Sequence, residues 1–333
     1  MTDKPILVTG DRPTGRLHLG HLVGSLESRL KFQDKYGCFF LVADLHMLTT
    51  HFDKTREVEK NTVEMVTDWL SVGLDPQKSV FYIQSQISAI SRLSVLLSMI
   101  CSVARAGRIP TLKEKIADMG VGEAYSVGLL GYPVLMASDI LVFKATKVPV
   151  GEDQLSHIEL TRELARRFNS LYGETFEEPE PVISKVSRLV GLDGGRKMSK
   201  TLDNCVYLSD TEKEVNGKIG GMFTDPKRVR ADIPGTVEGN PVFEYHDAFN
   251  PDTAEVDDLK ERYRKGAVGD VEVKKKLAKA VNAVLEPFRQ RRAEFEKRPD
   301  DVKDILRQGT ARANEAANEN IEEIIGKTGL FKP

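Results

Sequence analysis

Short apolar runs separated by stretches of helical periodicity constrain this chain most. Gly37-Cys38-Phe39-Phe40-Leu41-Val42-Ala43 carries no charged or amide side chain, so both faces of a strand formed there must be buried. Half-exposed antiparallel strands alternate apolar and polar positions, whereas continuous runs suit parallel strands covered on both sides. Ile6-Leu7-Val8-Thr9, ending at Gly10, Ser79-Val80-Phe81-Tyr82-Ile83 and Val148-Pro149-Val150 read as further strands. Between them, Leu19, Leu22, Val23, Leu26 and Leu30 fall at helical spacing, in a helix predicted to open near Thr14 or Gly15. Val58, Met65, Val66, Trp69 and Leu70 form a second stripe, with Asp53 as its cap and Gly73 as its stop. Leu155, Ile158, Leu164 and Phe168 mark a helix after the last strand. Strands alternating with helices imply an α/β fold: a doubly wound, Rossmann-like parallel sheet with right-handed crossovers.

The pattern changes near Pro179-Glu180-Pro181 and becomes helical and charged, with helices predicted over 211–222, 256–264, 271–295 and from Pro299 to about 325. The implied organisation is a nucleotide-binding catalytic domain over 1–183, a hinge and loop over 184–205, and a C-terminal α-helical domain over 206–333.

Bulk composition excludes several classes. With 333 residues, 40% hydrophobic and 29% charged, the chain is an ordinary globular protein rather than a disordered one. Its net charge of −2 gives no general attraction to nucleic acid, so any RNA contact needs a local basic surface. Lys274-Lys275-Lys276 and Arg289, Arg291 and Arg292 are the candidates, with solvated helix faces the competing explanation. Cys38, Cys101 and Cys205 are scattered, which argues against disulfides or structural zinc. No run reaches the roughly 20 apolar residues of a membrane helix, and the first residues lack a signal-peptide core. The expected location is the cytosol.

Two distant segments carry the chemistry. In Gly10-Asp11-Arg12-Pro13-Thr14-Gly15-Arg16-Leu17-His18-Leu19-Gly20-His21 a strand passes into a helix, where backbone N–H groups and the helix dipole favour phosphate. His18 and His21, three apart, would share a helix face, and Gly20 lets a ring or ribose approach the backbone. Gly194-Gly195-Arg196-Lys197-Met198-Ser199-Lys200-Thr201 joins a glycine hinge to two flexible ammonium groups suited to pyrophosphate. A third segment bears on the substrate. On a helix, Tyr132, Met136 and Asp139 lie on one face. A phenol, a thioether and one carboxylate suit an indole ring with its single N–H donor.

Together, in this order, the first two segments resemble the HIGH and KMSKS signatures of class I aminoacyl-tRNA synthetases. The Tyr132–Leu141 stretch with Gly151-Glu152-Asp153-Gln154 is similar to the tryptophanyl branch of that family. The resemblance implies ligation of tryptophan to tRNA through an adenylate, with ATP and Mg²⁺ as co-reactants and no tightly bound, protein-ligated metal. His18, His21, Lys197 and Lys200 would be catalytic. Arg12, Pro13, Thr14, Gly20, Gly151, Glu152, Asp153, Leu189, Met198, Ser199 and Thr201 would complete the ATP site. Asp139, Met136, Tyr132, Gln154 and His46 would hold tryptophan. One departure is Arg12, where tryptophanyl relatives often carry glutamine. Lys113 and Lys115 would add charge near pyrophosphate or merely form a solvated face. The family acts as a homodimer on its tRNA. The alternatives are a tyrosyl-tRNA synthetase, or a synthetase-like paralogue that only binds RNA or protein.

Overall fold

A computed structural model describes residues 4–183, 189–195, 198–200 and 202–331. Five parallel strands, β1 (Ile6–Asp11), β2 (Gly37–Val42), β3 (Ser79–Ile83), β4 (Lys147–Val150) and β5 (Glu180–Ile183), lie in the order β3-β2-β1-β4-β5. The chain winds outward from β1 in one direction through β3, then returns to β1's other side with β4. This is the doubly wound arrangement, and its switch point lies between β1 and β4. The run over β2 behaves as two-sided burial requires. Phe40 and Val42 pack with Leu22, Met65 and Trp69 on one face. Phe39 and Leu41 pack with Leu93, Ile140 and Phe143 on the other.

β5 was hidden in the sequence by its prolines. Pro181 pairs opposite Val148 at the sheet edge, where a missing N–H is tolerated.

The helices of the first half are α1 (Leu19–His21), α2 (Glu27–Phe32), α3 (Asp44–His51), α4 (Val58–Val72), α5 (Ser88–Ile100), α6 (Val103–Ala106), α7 (Pro110–Met119), α8 (Val127–Leu141) and α9 (Leu155–Tyr172). A π-helical stretch, Leu22–Leu26, joins α1 to α2. Those of the second half are α10 (Glu212–Gly220), α11 (Pro241–Phe249), α12 (Thr253–Arg264), α13 (Asp270–Glu296) and α14 (Pro299–Lys327). The first helix starts later than the expected opening near Thr14 or Gly15. Gly15 has φ +87°, a left-handed conformation that a helix cannot continue through, and α1 opens only at Leu19. Asp53 likewise does not cap α4, which begins after a 3₁₀ turn at Thr55–Glu57.

α14 returns to cover the β3 edge. Thr310 Oγ1 accepts from Ile83 N at 3.2 Å, and Arg312 donates to the Ser79 carbonyl at 2.9 Å. A Cβ at Gly309 would sit 2.0 Å from the Phe81 carbonyl oxygen, so only glycine allows this approach. An edge that could pair with another chain is thereby closed. α13 is tied to α4 by a buried ionic cluster. Arg292 donates to Asp68 at 2.5 Å, to Glu64, and to Glu296 at 2.7 Å. The second oxygen of Asp68 accepts the Leu17 backbone N–H at 2.6 Å.

Candidate active site

The carboxyl ends of β1 and β4, beside the switch point, open into a cavity of about 570 Å³. Asp11 and Arg12 enter from β1, His46 from α3, Thr111 and Lys115 from α7, and Gly151, Asp153 and Gln154 from the turn after β4. Tyr132, Met136 and Asp139 of α8 all line it, as their spacing required. His46 and Gln154 therefore share one chamber with that face.

Asp139 is buried. Gln84 Nε2 lies 2.8 Å from both carboxylate oxygens, and His46 Nε2 lies 2.9 Å from Oδ2. Burial pushes its carboxyl above the usual range, while His46 and Gln84 pull it back. A carboxylate offers about four lone-pair positions. Two donors leave room for a third on the cavity side.

The Tyr132 hydroxyl lies 2.9 Å from Thr111 Oγ1 and 2.9 Å from His157 Nε2. Lys115 Nζ stands 4.1 Å above the Tyr132 ring. Burial, aided by nearby Arg12, lowers the Lys115 ammonium to about 8. Lys113 is exposed to solvent. Burial also lowers Arg12, whose guanidinium reaches Thr50 Oγ1 at 3.4 Å.

The first nucleotide segment is built as a capped helix start, not as a histidine face on a running helix. His18, extended at φ −122°, is the N-cap, and His21 is the third helical residue. His18 Nδ1 accepts from Gly20 N at 3.1 Å, and His21 Nδ1 accepts from His18 N at 3.2 Å. The rings lie 3.9 Å apart between centroids. With both Nδ1 atoms accepting, each neutral ring carries its proton on Nε2.

The second segment folds onto the first. Met198 Sδ lies 3.3 Å from Gly20 N, and a Cβ on Gly20 would meet the His18 ring at 3.0 Å and that sulfur at 3.4 Å. Lys200 Nζ donates to the carbonyls of Thr14 at 3.0 Å and Gly15 at 3.1 Å, and to Thr14 Oγ1 at 3.1 Å. Burial lowers its ammonium to about 8. Ser199 N donates to Asn204 Oδ1 at 2.7 Å, and Met198 N to the buried Leu189 carbonyl at 3.4 Å. Backbone pairing of Leu19 with Val206 and of Leu208 with Leu17 binds the two segments further.

Of the residues expected at ATP, Arg12, Gly151 and Asp153 line the cavity. Pro13 and Thr14 lie in the turn after Arg12, and Glu152 starts the 3₁₀ turn leading to α9. His18, Gly20, His21, Met198 and Lys200 form a neighbouring cluster. Lys197 and Thr201 lie outside the described residues.

Most side chains of the basic clusters in the helical half are tied to other elements. Lys274 is buried and donates to the Met222 carbonyl at 2.6 Å and to Thr224 Oγ1 at 2.7 Å. Lys276 pairs with Glu255. Arg289 donates to the Asp210 carbonyl at 2.8 Å, Arg291 reaches the Ser71 carbonyl, and Arg292 is buried. These side chains hold elements together, while Lys275 and Arg291 of the same clusters stay exposed.

The model for class I tRNA synthetases of the tryptophan and tyrosine type matches residues 1–286. A tryptophan–tRNA ligase of Treponema pallidum is 50% identical over 326 residues, covering 97% of this chain and 96% of its own length. One from Chlamydia caviae is 49% identical over 329 residues, covering 97% of this chain and 95% of its own. The crystal structure of Campylobacter jejuni tryptophanyl-tRNA synthetase with ADP and tryptophan superposes with a TM-score of 0.86 at 33% identity. It covers 98% of this chain and 100% of that one.

The chain belongs to the class I tRNA synthetases.

Several residues that shape the synthetase's site went unnoticed in the sequence. Gln84 follows β3 directly, and a polar residue at a strand's carboxyl end was the available signal. Arg29, buried, donates to Asp11 at 2.7 and 3.0 Å, and Trp69 Nε1 joins them at 3.1 Å. Arg29 looks in the sequence like one polar position of an amphipathic helix. His157 sits among the apolar residues of α9, and Asn204 is masked by its loop. Neither pattern marks a site.

Proposed function

We infer that this synthetase is a tryptophan–tRNA ligase: it activates L-tryptophan with ATP, releases pyrophosphate, and passes tryptophan to the 3′ end of tRNA(Trp). The observation that carries this is the buried Asp139 carboxylate, held by Gln84 and His46 on the wall of a cavity that also contains Met136, Tyr132 and Gln154. Near-50% identity over almost the whole length to tryptophan–tRNA ligases agrees with it.

Asp139 accepts the indole N–H, Met136 packs on the ring, and Tyr132 and Gln154 hold the α-amino group. The tryptophan carboxylate then attacks the ATP α-phosphorus in line. No enzyme nucleophile takes part; positioning and electrostatic stabilisation carry such transfers. His18 and His21 offer Nε2–H donors to phosphate, and Gly151, Glu152 and Asp153 hold ribose and α-phosphate. Arg12 and Lys115 supply positive charge on the cavity wall, and Lys197 and Lys200 follow the departing pyrophosphate. Leu189 lies near adenine, and Pro13, Thr14, Met198, Ser199 and Thr201 complete the nucleotide site. Mg²⁺ comes on the phosphates of ATP, where it neutralises the charge that develops there. Among the described residues no group of three His, Cys, Asp or Glu side chains gathers to ligate a metal.

The division into a catalytic domain over 1–183, a hinge and loop over 184–205 and an anticodon-binding helical domain over 206–333 belongs to the same proposal, supported by the end of the strand pattern at Ile183. So does a cytoplasmic homodimer. No described helix is long and apolar enough to cross a membrane. Val95 and Met99, i and i+4 on α5, are each more than half exposed, and this apolar face suits a second copy of the chain.

The test is exchange of labelled pyrophosphate into ATP with tryptophan and tyrosine in parallel. Tryptophan supports exchange and tyrosine falls short by orders of magnitude, because a site built around a buried hydrogen bond discriminates by about 10⁴–10⁵. Equal rates overturn the reading.

A further inference from the structure

We propose that His157, which does not line the cavity, is a positioning residue that fixes the Tyr132 hydroxyl as an acceptor for the substrate's α-ammonium group. The proposal rests on the reading of Tyr132 as an amino-group ligand.

His157 is completely buried on α9. Its Nε2 lies 2.9 Å from the Tyr132 hydroxyl and 3.4 Å from Thr111 Oγ1, while Nδ1 has no hydrogen-bond partner. A buried N–H without an acceptor is rarer and more costly than a buried lone pair without a donor. The proton therefore resides on Nε2, and His157 donates to the phenol oxygen. The phenol's own proton then goes to Thr111 Oγ1 at 2.9 Å. With one lone pair receiving His157 and its proton committed to Thr111, Tyr132 presents its remaining lone pair to the cavity. An ammonium group, a donor only, needs that presentation. Without the imidazole the hydroxyl can turn its proton toward the cavity, where it would meet the ammonium donor to donor.

Neutrality matters as much as direction. Burial, with Lys115 and His46 nearby, lowers His157 to about 4. The imidazole therefore stays uncharged at neutral pH and adds no repulsion behind the hydroxyl that meets the ammonium. A surface histidine, with its ordinary value near 6.5, would be partly charged there.

The test compares tryptophan with indole-3-propanoate, which lacks only the amino group, by calorimetric titration of wild type, His157→Phe and His157→Gln. Glutamine can place an N–H donor near the original Nε2, whereas phenylalanine fills the volume without one. His157→Phe is expected to weaken tryptophan by about 10- to 100-fold, the range for a hydrogen bond to a charged group, with indole-3-propanoate changed less than threefold. His157→Gln is expected to restore most of the tryptophan affinity. Equal weakening of both ligands would mean that His157 only supports the pocket, and unchanged tryptophan affinity would mean that it does nothing for Tyr132. Either result overturns the proposal. Should phenylalanine unfold the protein, His157→Gln against His157→Met gives the same comparison, since methionine has no N–H to donate and no charge. If wild type supports tryptophan-dependent exchange yet binds both ligands alike, the amino-group role of Tyr132 fails and takes this proposal with it. Absence of exchange in wild type fails the ligase reading itself.

Discussion

Replacing Asp139 by asparagine separates a substrate ligand from a structural carboxylate. The side chain keeps its size and one acceptor oxygen but loses its charge. In wild type the two oxygens receive Gln84 Nε2 and His46 Nε2 at 2.8 to 2.9 Å, and a further position faces the cavity for the indole N–H. Asparagine has a single oxygen for these three donors, and its amide N–H₂ adds two more. Two lone pairs cannot serve them all, so at least one donor goes unmet. The substrate's is the one most easily lost, because Gln84 and His46 are fixed by the fold. Loss of a charge-assisted hydrogen bond is worth about 1.5–3 kcal/mol, or roughly 10- to 150-fold in kcat/KM for tryptophan.

Stability is expected to change much less. Burial already pushes the Asp139 carboxyl upward, so a neutral amide escapes a desolvation cost that offsets part of its poorer hydrogen bonding. ATP binding without amino acid is expected to be unchanged, since Asp139 lies on the side of the cavity with His46 and Gln84. The assays are tryptophan-dependent pyrophosphate exchange across substrate concentrations and thermal unfolding of the same preparations. Normal tryptophan kinetics with a much lower Tm would refute the reasoning and make Asp139 a structural group.

Lys200→Ala is expected to slow single-turnover adenylate formation by about 10²–10³, as for loss of one electrostatic contact to a transition state, while tryptophan affinity holds; an unchanged rate would make the loop a plain basic surface. The lowered Lys200 value of about 8 also sets a proton linkage. A polyphosphate favours the ammonium and raises that value, so ATP binding takes up a proton near pH 8–9 and weakens as pH rises through that window; calorimetry in buffers of different ionisation enthalpy reads the uptake, and its absence would show that the nucleotide does not reach Lys200. Arg292→Met leaves Asp68 buried with only the Leu17 N–H, and breaking such a pair costs about 3–5 kcal/mol. Urea unfolding is expected to show this loss, with much of it recovered in Arg292→Met/Asp68→Asn, which removes the unpaired charge and keeps an acceptor for Leu17 N–H. Met99→Asp on the exposed apolar group is expected to yield monomers in sedimentation; an unchanged dimer would place the interface elsewhere.

What could be read in advance follows from how each feature is encoded. The continuous apolar run of β2 admits little except a covered parallel strand, and the long charged helices of the second half declare themselves by period and by Pro299 at the start of α14. Tyr132, Met136 and Asp139 converge because the i, i+4, i+7 relation is a property of any helix. β5 stayed hidden because edge position, which excuses Pro181, depends on which strands lie beside it.

The site shows the same division more sharply. His18 and His21 can be found from their spacing. That spacing nevertheless suggests a shared helix face, whereas the pair caps a helix that opens only at Leu19, after a stretch paired with residues 206–208. Groups acting through tertiary partners leave no local trace. Arg29 gives no hint in the chain that it will be buried against Asp11 and Trp69. Lys274 and Arg292 stand in basic runs that look like an RNA surface, yet their partners, the Met222 carbonyl and the Asp68 carboxylate, lie more than 50 and 220 residues away. Charge density along a sequence says how many cations a segment has. Which of them remain in solvent is decided by the carbonyls and carboxylates that other elements bring to them. The phosphate-binding surface for RNA should accordingly be sought among exposed cations such as Lys275 and Lys279, on the face of α13 that packing leaves open.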